Sequence, residues 1–380
     1  MITGEIKAIT MPKFGLAMTE GKVASWAKTI GAEVNVGDDL ADIETTKITN
    51  AYESPVKGIL RRQVAQEQEE LPVGSLIAII ADRETSEDEI DRFIDKFQAE
   101  FVSEQDKSET VAAPEPRVIE VSGQKIRILE IGNGEGAPIV FVHGFGGDLN
   151  NWMFNQPPLA EKHRTIAIDL PGHGGSVKET SGDIASLAKS VGETLDALGV
   201  ASAHFVGHSL GGAIILALAL ERPTLVASLS LISPAALGDV INTDYTDGFI
   251  TADRRKTLKP VLQLLFADPS LVSNDMIDDL IKFKRLDGAT TALTAIASAN
   301  FKEGRQSLNL LSRLAEIKAP VEILWGKQDQ VVPMVDPGQL PGTIAFHPLE
   351  KSGHMPQMEQ SAEVNGLIGD FITKVETKVG

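Results

Sequence analysis

The chain has 380 residues, 42% of them apolar and 23% charged, a balance that suits two or three globular domains with buried cores. Its formal charge of −18 argues against nucleic acid or an anionic membrane as a partner, because both need a basic surface. There is no cysteine, which excludes disulfides, thiolate metal sites and a cysteine nucleophile; any thiol chemistry has to come from an attached group.

The first twenty residues carry Lys7, Lys13 and Glu20 among short apolar stretches, with no signal-peptide core, and no apolar run is long enough to span a membrane. The expected compartment is the cytoplasm. Residues up to about 80 contain an internal repeat at a constant offset of 37. Gly21 matches Gly58, Val23 matches Leu60, Val34 matches Leu71 and Val36 matches Val73. Gly37 then matches Gly74, Leu40 matches Ile77 and Ile43 matches Ile80. Each half reads as short strands with glycines at the turns, and neither half could bury its apolar face alone. A small quasi-symmetric all-β domain over 1–82 is expected.

Residues 83–116 hold eleven acidic and four basic side chains, a net of −7. Ile90, Phe93, Ile94, Phe97 and Phe101 recur at helical spacing, and Ser86 followed by Glu89 is a capping-box pattern. This predicts an amphipathic helix and a flexible tail, an acidic linker in the plainest reading; the alternative is that the phenylalanine stripe docks on a domain or partner. From 117 to 380 short apolar strands alternate with helical segments, so the second domain is α/β with a mostly parallel sheet covered on both faces. The stretch from about 235 to 313 has helical periods and little strand character, as an inserted cap would.

Lys47 stands between the repeat halves, where Thr45-Thr46-Lys47 interrupts the apolar alternation as an exposed hairpin tip should. Glu44 three positions before the lysine, the run Glu53-Ser54-Pro55-Val56-Lys57-Gly58 after it and the paired glycines resemble the lipoyl domains of 2-oxo-acid dehydrogenase complexes, over residues 5–82. That resemblance implies lipoate in amide linkage at Lys47. Biotin carriers have a similar fold but usually a Met-Lys-Met tip, which Thr46-Lys47-Ile48 is not.

Gly207-His208-Ser209-Leu210-Gly211 follows an apolar strand and opens a helix, the setting of a nucleophile elbow with Ser209 as nucleophile. A serine needs a base, and the base needs orienting. In this fold the acid and then the histidine follow in the chain. Asp329, after the strand VEILWG, is the expected acid, with Asp169 and Asp239 in reserve. His354 is the expected base, with His347 as a rival inside a strand. The oxyanion of acyl transfer needs preorganised donors, expected from the N–H groups of Leu210 and of Phe145 in the turn His143-Gly144-Phe145-Gly146-Gly147. His143 and His208 are expected to be structural, and no metal is expected at the site. The turn, elbow, acid and base resemble α/β-hydrolases over 118–378, so the expected fold class is multidomain: a biotinyl/lipoyl-like domain followed by an α/β-hydrolase fold with a helical cap.

The combination is similar to the dihydrolipoamide acetyltransferase components of acetoin dehydrogenase complexes. That resemblance implies transfer of an acetyl group from a lipoyl-lysine thioester to coenzyme A. It also implies two partners, a thiamine-diphosphate-dependent acetoin-cleaving component and a dihydrolipoamide dehydrogenase. Two departures keep alternatives open: there is no H-x-x-x-D-G motif of a trimer-forming core and no clear peripheral-subunit-binding domain. A serine hydrolase with an attached carrier, or a non-catalytic lipoyl scaffold, remains in play. A monomer or small homo-oligomer is expected.

Overall fold

In the computed structural model, residues 6–12, 20–44, 49–109 and 114–379 are described. Two units emerge, 1–113 and 114–380, and each is taken by itself.

The 37-residue repeat becomes an exchange of strands. In the first unit β1 (Lys7–Thr10), β2 (Glu20–Trp26), β3 (Glu33–Val34) and β4 (Asp39–Glu44) are followed by β5 (Thr49–Glu53), β6 (Gly58–Gln63), β7 (Glu70–Pro72) and β8 (Leu76–Ala81). They form two four-stranded sheets, ordered β1-β8-β6-β3 and β5-β4-β2-β7. Val23 lies opposite Ile43 in one sheet, and Leu60 lies opposite Ile80 at the matching place in the other. The short strands cross over: Val34 pairs with Gly58, and Gly21 with Leu71. Each half therefore supplies an edge strand to the other, which closes one shared core of Ile9, Val23, Val34, Leu40, Ile43, Leu60, Ile77 and Ile80. Gly37 and Gly74 turn the chain at φ +87° and +88°, values that disfavour any residue with a Cβ. The pairing of Glu44 with Thr49 joins β4 to β5 on either side of 45–48. Lys47 lies in that connection, outside the described residues.

The helix expected from the phenylalanine stripe is α1 (Glu87–Glu109). Its capping box is present: Glu89 accepts from the Ser86 N–H at 3.1 Å, and the Glu89 N–H donates to Ser86 Oγ at 3.4 Å. All six residues of β8 are buried. Ile77, Ala78 and Ile80 face the shared core, whereas Leu76, Ile79 and Ala81 meet Ile90, Phe93, Ile94 and Phe97 of α1. The stripe thus packs on the β-unit over this length, the second of the two sequence readings. Arg61 and Arg62 pair with Glu87 at 2.7 Å each, and Arg62 reaches Asp91 at 3.0 Å. Such exposed pairs orient the helix and contribute little, so the apolar contact carries the stability.

In the second unit β9 (Arg117–Val121), β10 (Gln124–Ile131), β11 (Ile139–Val142), β12 (Thr165–Ile168), β13 (Ala203–His208), β14 (Val226–Ile232), β17 (Val321–Gly326) and β18 (Ala345–Leu349) build an eight-stranded sheet. Its order is β18-β17-β14-β13-β11-β12-β10-β9, with β9 and β10 antiparallel and the rest parallel. Strand alternation divides the core in two. Val140 and Val142 face one side, with α3 (Ile184–Ala197) and α4 (Leu210–Glu221); Ile139 and Phe141 face the other, with α2 (Gln156–Ala160) and α10 (Ser361–Val379). Between β14 and β17 lie α5 (Thr243–Thr251), α6 (Arg255–Gln263), α7 (Asn274–Lys284) and α8 (Ala289–Asn300), with the small hairpin β15 (Phe301–Lys302) and β16 (Arg305–Gln306). No helix among the described residues is long and apolar enough to cross a membrane.

Ile90 is fully buried between α1 and β8. Ile90→Ala is expected to destabilise the first unit by about 2–4 kcal/mol, through lost transfer energy and a residual cavity. Calorimetric unfolding of the full chain checks this, and an unchanged melting profile would show that α1 is not held by this contact.

Candidate active site

The sharpest turn of the second unit is at Ser209, between β13 and α4. Its φ of +52° and ψ of −116° are strained for a residue with a side chain. The end of β14 and the turn after it hold it there: the Ser209 N–H donates to Ile232 C=O at 3.0 Å, and its own C=O accepts from Ala235 N–H at 2.9 Å. The motif glycines are required by space. A Cβ on Gly207 would stand 2.6 Å from Ile215 Cδ1, and one on Gly211 would stand 2.1 Å from the Val142 carbonyl oxygen. The elbow can form only where the helix start presses against the sheet edge.

Asp329 and His354 are brought into contact from the ends of β17 and β18. His354 Nδ1 lies 2.8 Å from Asp329 Oδ2, and both side chains are 1% exposed. The carboxylate is fully engaged. Oδ1 accepts the N–H groups of Val331 and Val332 at 2.8 and 2.9 Å, and Oδ2 also accepts from Trp325 Nε1–H at 3.1 Å. Four donors surround this buried carboxylate, and its contact with Nδ1 leaves Nε2 of the imidazole as the free nitrogen. Ser209 is 6% exposed and joins this pair through its neighbour: the His208 ring lies 4.8 Å from the His354 ring, and its Nε2 donates to His354 C=O at 2.7 Å. Ser209 Oγ makes no hydrogen bond to His354. Bonds of this kind are often long before substrate is present and tighten with it.

The turn after β11 stands beside the elbow, since a Cβ on Gly144 would be 3.0 Å from Ser209 Cβ. Gly147 N–H donates to Gly144 C=O at 3.1 Å, and Gly146 N–H to His173 Nε2 at 3.1 Å. Among the described residues, the N–H groups of Phe145 and Leu210 find no acceptor within the protein. Two free amides flanking a serine are suited to a developing oxyanion. The Phe145 C=O is held by the Tyr245 hydroxyl at 3.0 Å, and its ring packs edge-on to Tyr245, Phe249 and Phe301 of the segment between β14 and β17.

The reserve residues are employed elsewhere. Asp169 is fully buried, accepts from Leu149 and Gly175 N–H, and faces Arg127 at 3.3 Å. Asp239 binds Asn309 at the surface. His347 lies 3.4 Å from buried Glu322 on the adjacent strand. His143 accepts the Leu170 N–H at 3.1 Å. Trp325 and Tyr245 escaped the sequence reading. Trp325, four residues before Asp329, left the faint signal of a polar-tipped ring in a buried strand; Tyr245 left none, because it arrives from a different layer. Among the described residues no cluster of His, Asp and Glu could hold a metal ion.

Burial holds His208 and His173 well below the ordinary histidine pKa, helped by the charge of His354 and His143 respectively, and burial lowers His143 as well. On unfolding these rings regain an ordinary pKa of about 6.5 and take up protons that the fold refuses. Their contribution is complete above that pH and is lost as pH falls below it. Denaturant midpoints of the full chain are therefore expected to fall between about pH 7.5 and about pH 5.5. Constant midpoints over that window would mean that the rings ionise inside the fold.

Both units resemble known proteins. Residues 137–361 match the family model described as alpha/beta hydrolase fold, and residues 7–80 match the model described as biotin-requiring enzyme. The dihydrolipoyllysine-residue acetyltransferase component of the acetoin cleaving system of Pseudomonas putida is 46% identical over 371 residues, covering 97% of this chain and 99% of the relative. The component of the same name from Cupriavidus necator is 42% identical, covering 97% of each. A solved meta-cleavage product hydrolase from Pseudomonas fluorescens shares the fold of the second unit, with a TM-score of 0.62 at 24% identity over 68% of this chain and 97% of that one. A carrier unit and an elbow-bearing α/β unit, matched together over nearly the full length, make the chain a member of the family of dihydrolipoyllysine-residue acetyltransferase components of acetoin cleaving systems.

Proposed function

We propose that the chain transfers an acetyl group from a thioester carried on its own lipoyl-lysine to coenzyme A, with Ser209 as nucleophile, His354 as base and Asp329 as the group that orients it. The observation that carries this reading is the oriented Asp329–His354 pair beside a strained serine elbow, in a chain whose other unit is of the carrier type. Lipoate suits residues 1–82: Lys47 lies between paired β4 and β5, and a lysine there would hold it in amide linkage. When bound, lipoate supplies a dithiol that carries an acyl group as a thioester.

His354 Nε2 takes the proton as Ser209 Oγ attacks the thioester carbonyl, and the N–H groups of Phe145 and Leu210 receive the oxyanion. Collapse leaves acetyl-Ser209 and returns the proton to the departing thiol. His354 then takes the proton of the coenzyme A thiol, whose sulfur attacks the acyl-serine, and returns it to Ser209. The imidazole must be neutral at each attack. The relatives are named as components of an acetoin cleaving system, which supports partner enzymes; those we propose are a thiamine-diphosphate-dependent acetoin-cleaving component and a dihydrolipoamide dehydrogenase. The proposed oligomeric state is a monomer or small homo-oligomer. We propose a carrier domain over 1–82, an acidic linker segment over 83–116 whose helix α1 packs on β8, and an α/β-hydrolase-fold domain over 117–380.

The deciding experiment supplies acetyl-dihydrolipoamide with and without coenzyme A. Acetyl-CoA is the expected product; acetate formed at an equal rate without coenzyme A would make the protein a hydrolase. Ser209→Ala and His354→Ala are each expected to cost about 10^4-fold or more, with Asp329→Asn costing less. A silent Asp329→Asn beside an inactive Asp169→Asn would move the acid to Asp169. Residues 1–113 expressed with a lipoyl ligase are expected to gain one lipoyl group, absent from Lys47→Arg. Uptake at another lysine would remove that assignment.

A further inference from the structure

The segment inserted between β14 and β17 meets the loop that bears His354 along one seam. Residues 265–267, just after α6, lie so close to Gly353 that a Cβ there would stand 2.7 Å from the Ala267 nitrogen and 2.8 Å from the Phe266 carbonyl carbon. The His354 N–H donates to Leu265 C=O at 2.8 Å, while the His354 C=O accepts from His208 on the elbow. The backbone of His354 is thus held on one side by the inserted segment and on the other by the sheet. Across the seam stands Glu359, in the short helix α9 (Pro356–Glu359). Its Oε1 accepts the Ala267 N–H and its Oε2 the Gly353 N–H, both at 2.7 Å. A carboxylate is suited to this place because it accepts on both arms, and charge-assisted bonds are the stronger kind.

We propose that Glu359 is a positioning residue which clamps the segment 265–267 to the His354 loop, so that the base is correctly placed only while the helical cap is seated. Resting on the assignment of His354 as base, the idea adds that cap and base move as one. Lifting residues 265–267 breaks the Leu265 bond to His354 and pulls on Gly353, whereas Asp329 and His208 stay with the sheet. An imidazole held from both sides loses its alignment when one side moves, and small misplacements of a general base are costly. Entry of a long acyl donor beneath the cap would disarm the base, and reseating the cap would restore it.

The test uses the full chain. Glu359→Gln keeps one acceptor and turns the other arm into a donor facing an N–H. It is expected to lower kcat for acetyl transfer by about 10- to 100-fold while KM changes little, and to slow fluorophosphonate labelling of Ser209 in proportion. Gly353→Ala forces the same seam apart from the other side, and is expected to do likewise. The double variant should be no worse than the poorer single one, because both break one device. A Glu359→Gln protein with wild-type kcat and only a lower melting temperature overturns the proposal, as do losses that multiply. Should Glu359→Gln fail to fold, Gly353→Ala alone decides by the same kcat and labelling readouts. His354→Ala is measured in parallel: if it labels at the wild-type rate the base assignment falls, an outcome distinct from failure of the clamp.

Discussion

Ser209 holds a backbone conformation that an isolated chain would leave at once. Strain of this kind costs about 1–3 kcal/mol and persists only where the surroundings over-determine it. Here β14 and the turn after it do so, through the bonds to Ile232 and Ala235, while Gly207 and Gly211 leave room for α4 to approach the sheet. From this follow the unpaired amide of buried Leu210 at the helix start, the nearness of Gly144 to the serine, and the place of His208 against His354. The elbow is therefore a property of the whole sheet edge. A change in β14 or β11 would be felt there even though neither strand carries a reacting group.

The Asp329–His354 pair depends on a different set of contacts. Asp329 is surrounded by the N–H groups of its own loop and by the Trp325 indole, so its position is settled before the imidazole arrives. His354 is then constrained at its ring by Asp329, at its C=O by His208 and at its N–H by Leu265. The turn at Phe145 has the same mixed support, with its ring against His173 on one side and its C=O held by Tyr245 on the other. The helical segment between β14 and β17 thus shapes both ends of the site.

The first unit solves a different problem, that of a stable domain made from two halves with little core each. Exchange of β3 and β7 removes the need for either half to stand alone, and α1 covers the outer face of β8 that the shared core leaves apolar. That second burial explains a composition that looked like a linker. Asp88 and Asp95 of α1 face outward and Glu87 and Asp91 meet Arg61 and Arg62, on a helix whose apolar stripe finds its partner in another element.

What could be read from the sequence was local or periodic. The 37-residue offset announced the two-sheet symmetry, Ser86 and Glu89 announced the start of α1, and the glycine spacing around Ser209 announced the elbow, because each depends on neighbours a few residues away. Alternation of strands and helices likewise announced a parallel sheet. Asp329 and His354 were legible by chain order and strand ends, and the rivals Asp169 and His347 could be ranked below them but not excluded. Only the tertiary structure decided that Asp169 serves Arg127 and the Leu149 turn, that His347 faces Glu322, that the phenylalanine stripe packs on β8, and that Trp325 bonds Asp329, Tyr245 bonds Phe145 and Glu359 bonds Ala267. The reason is physical: these contacts join residues far apart in the chain, and a hydrogen-bond partner brought from another layer leaves no period or spacing in the sequence that it serves.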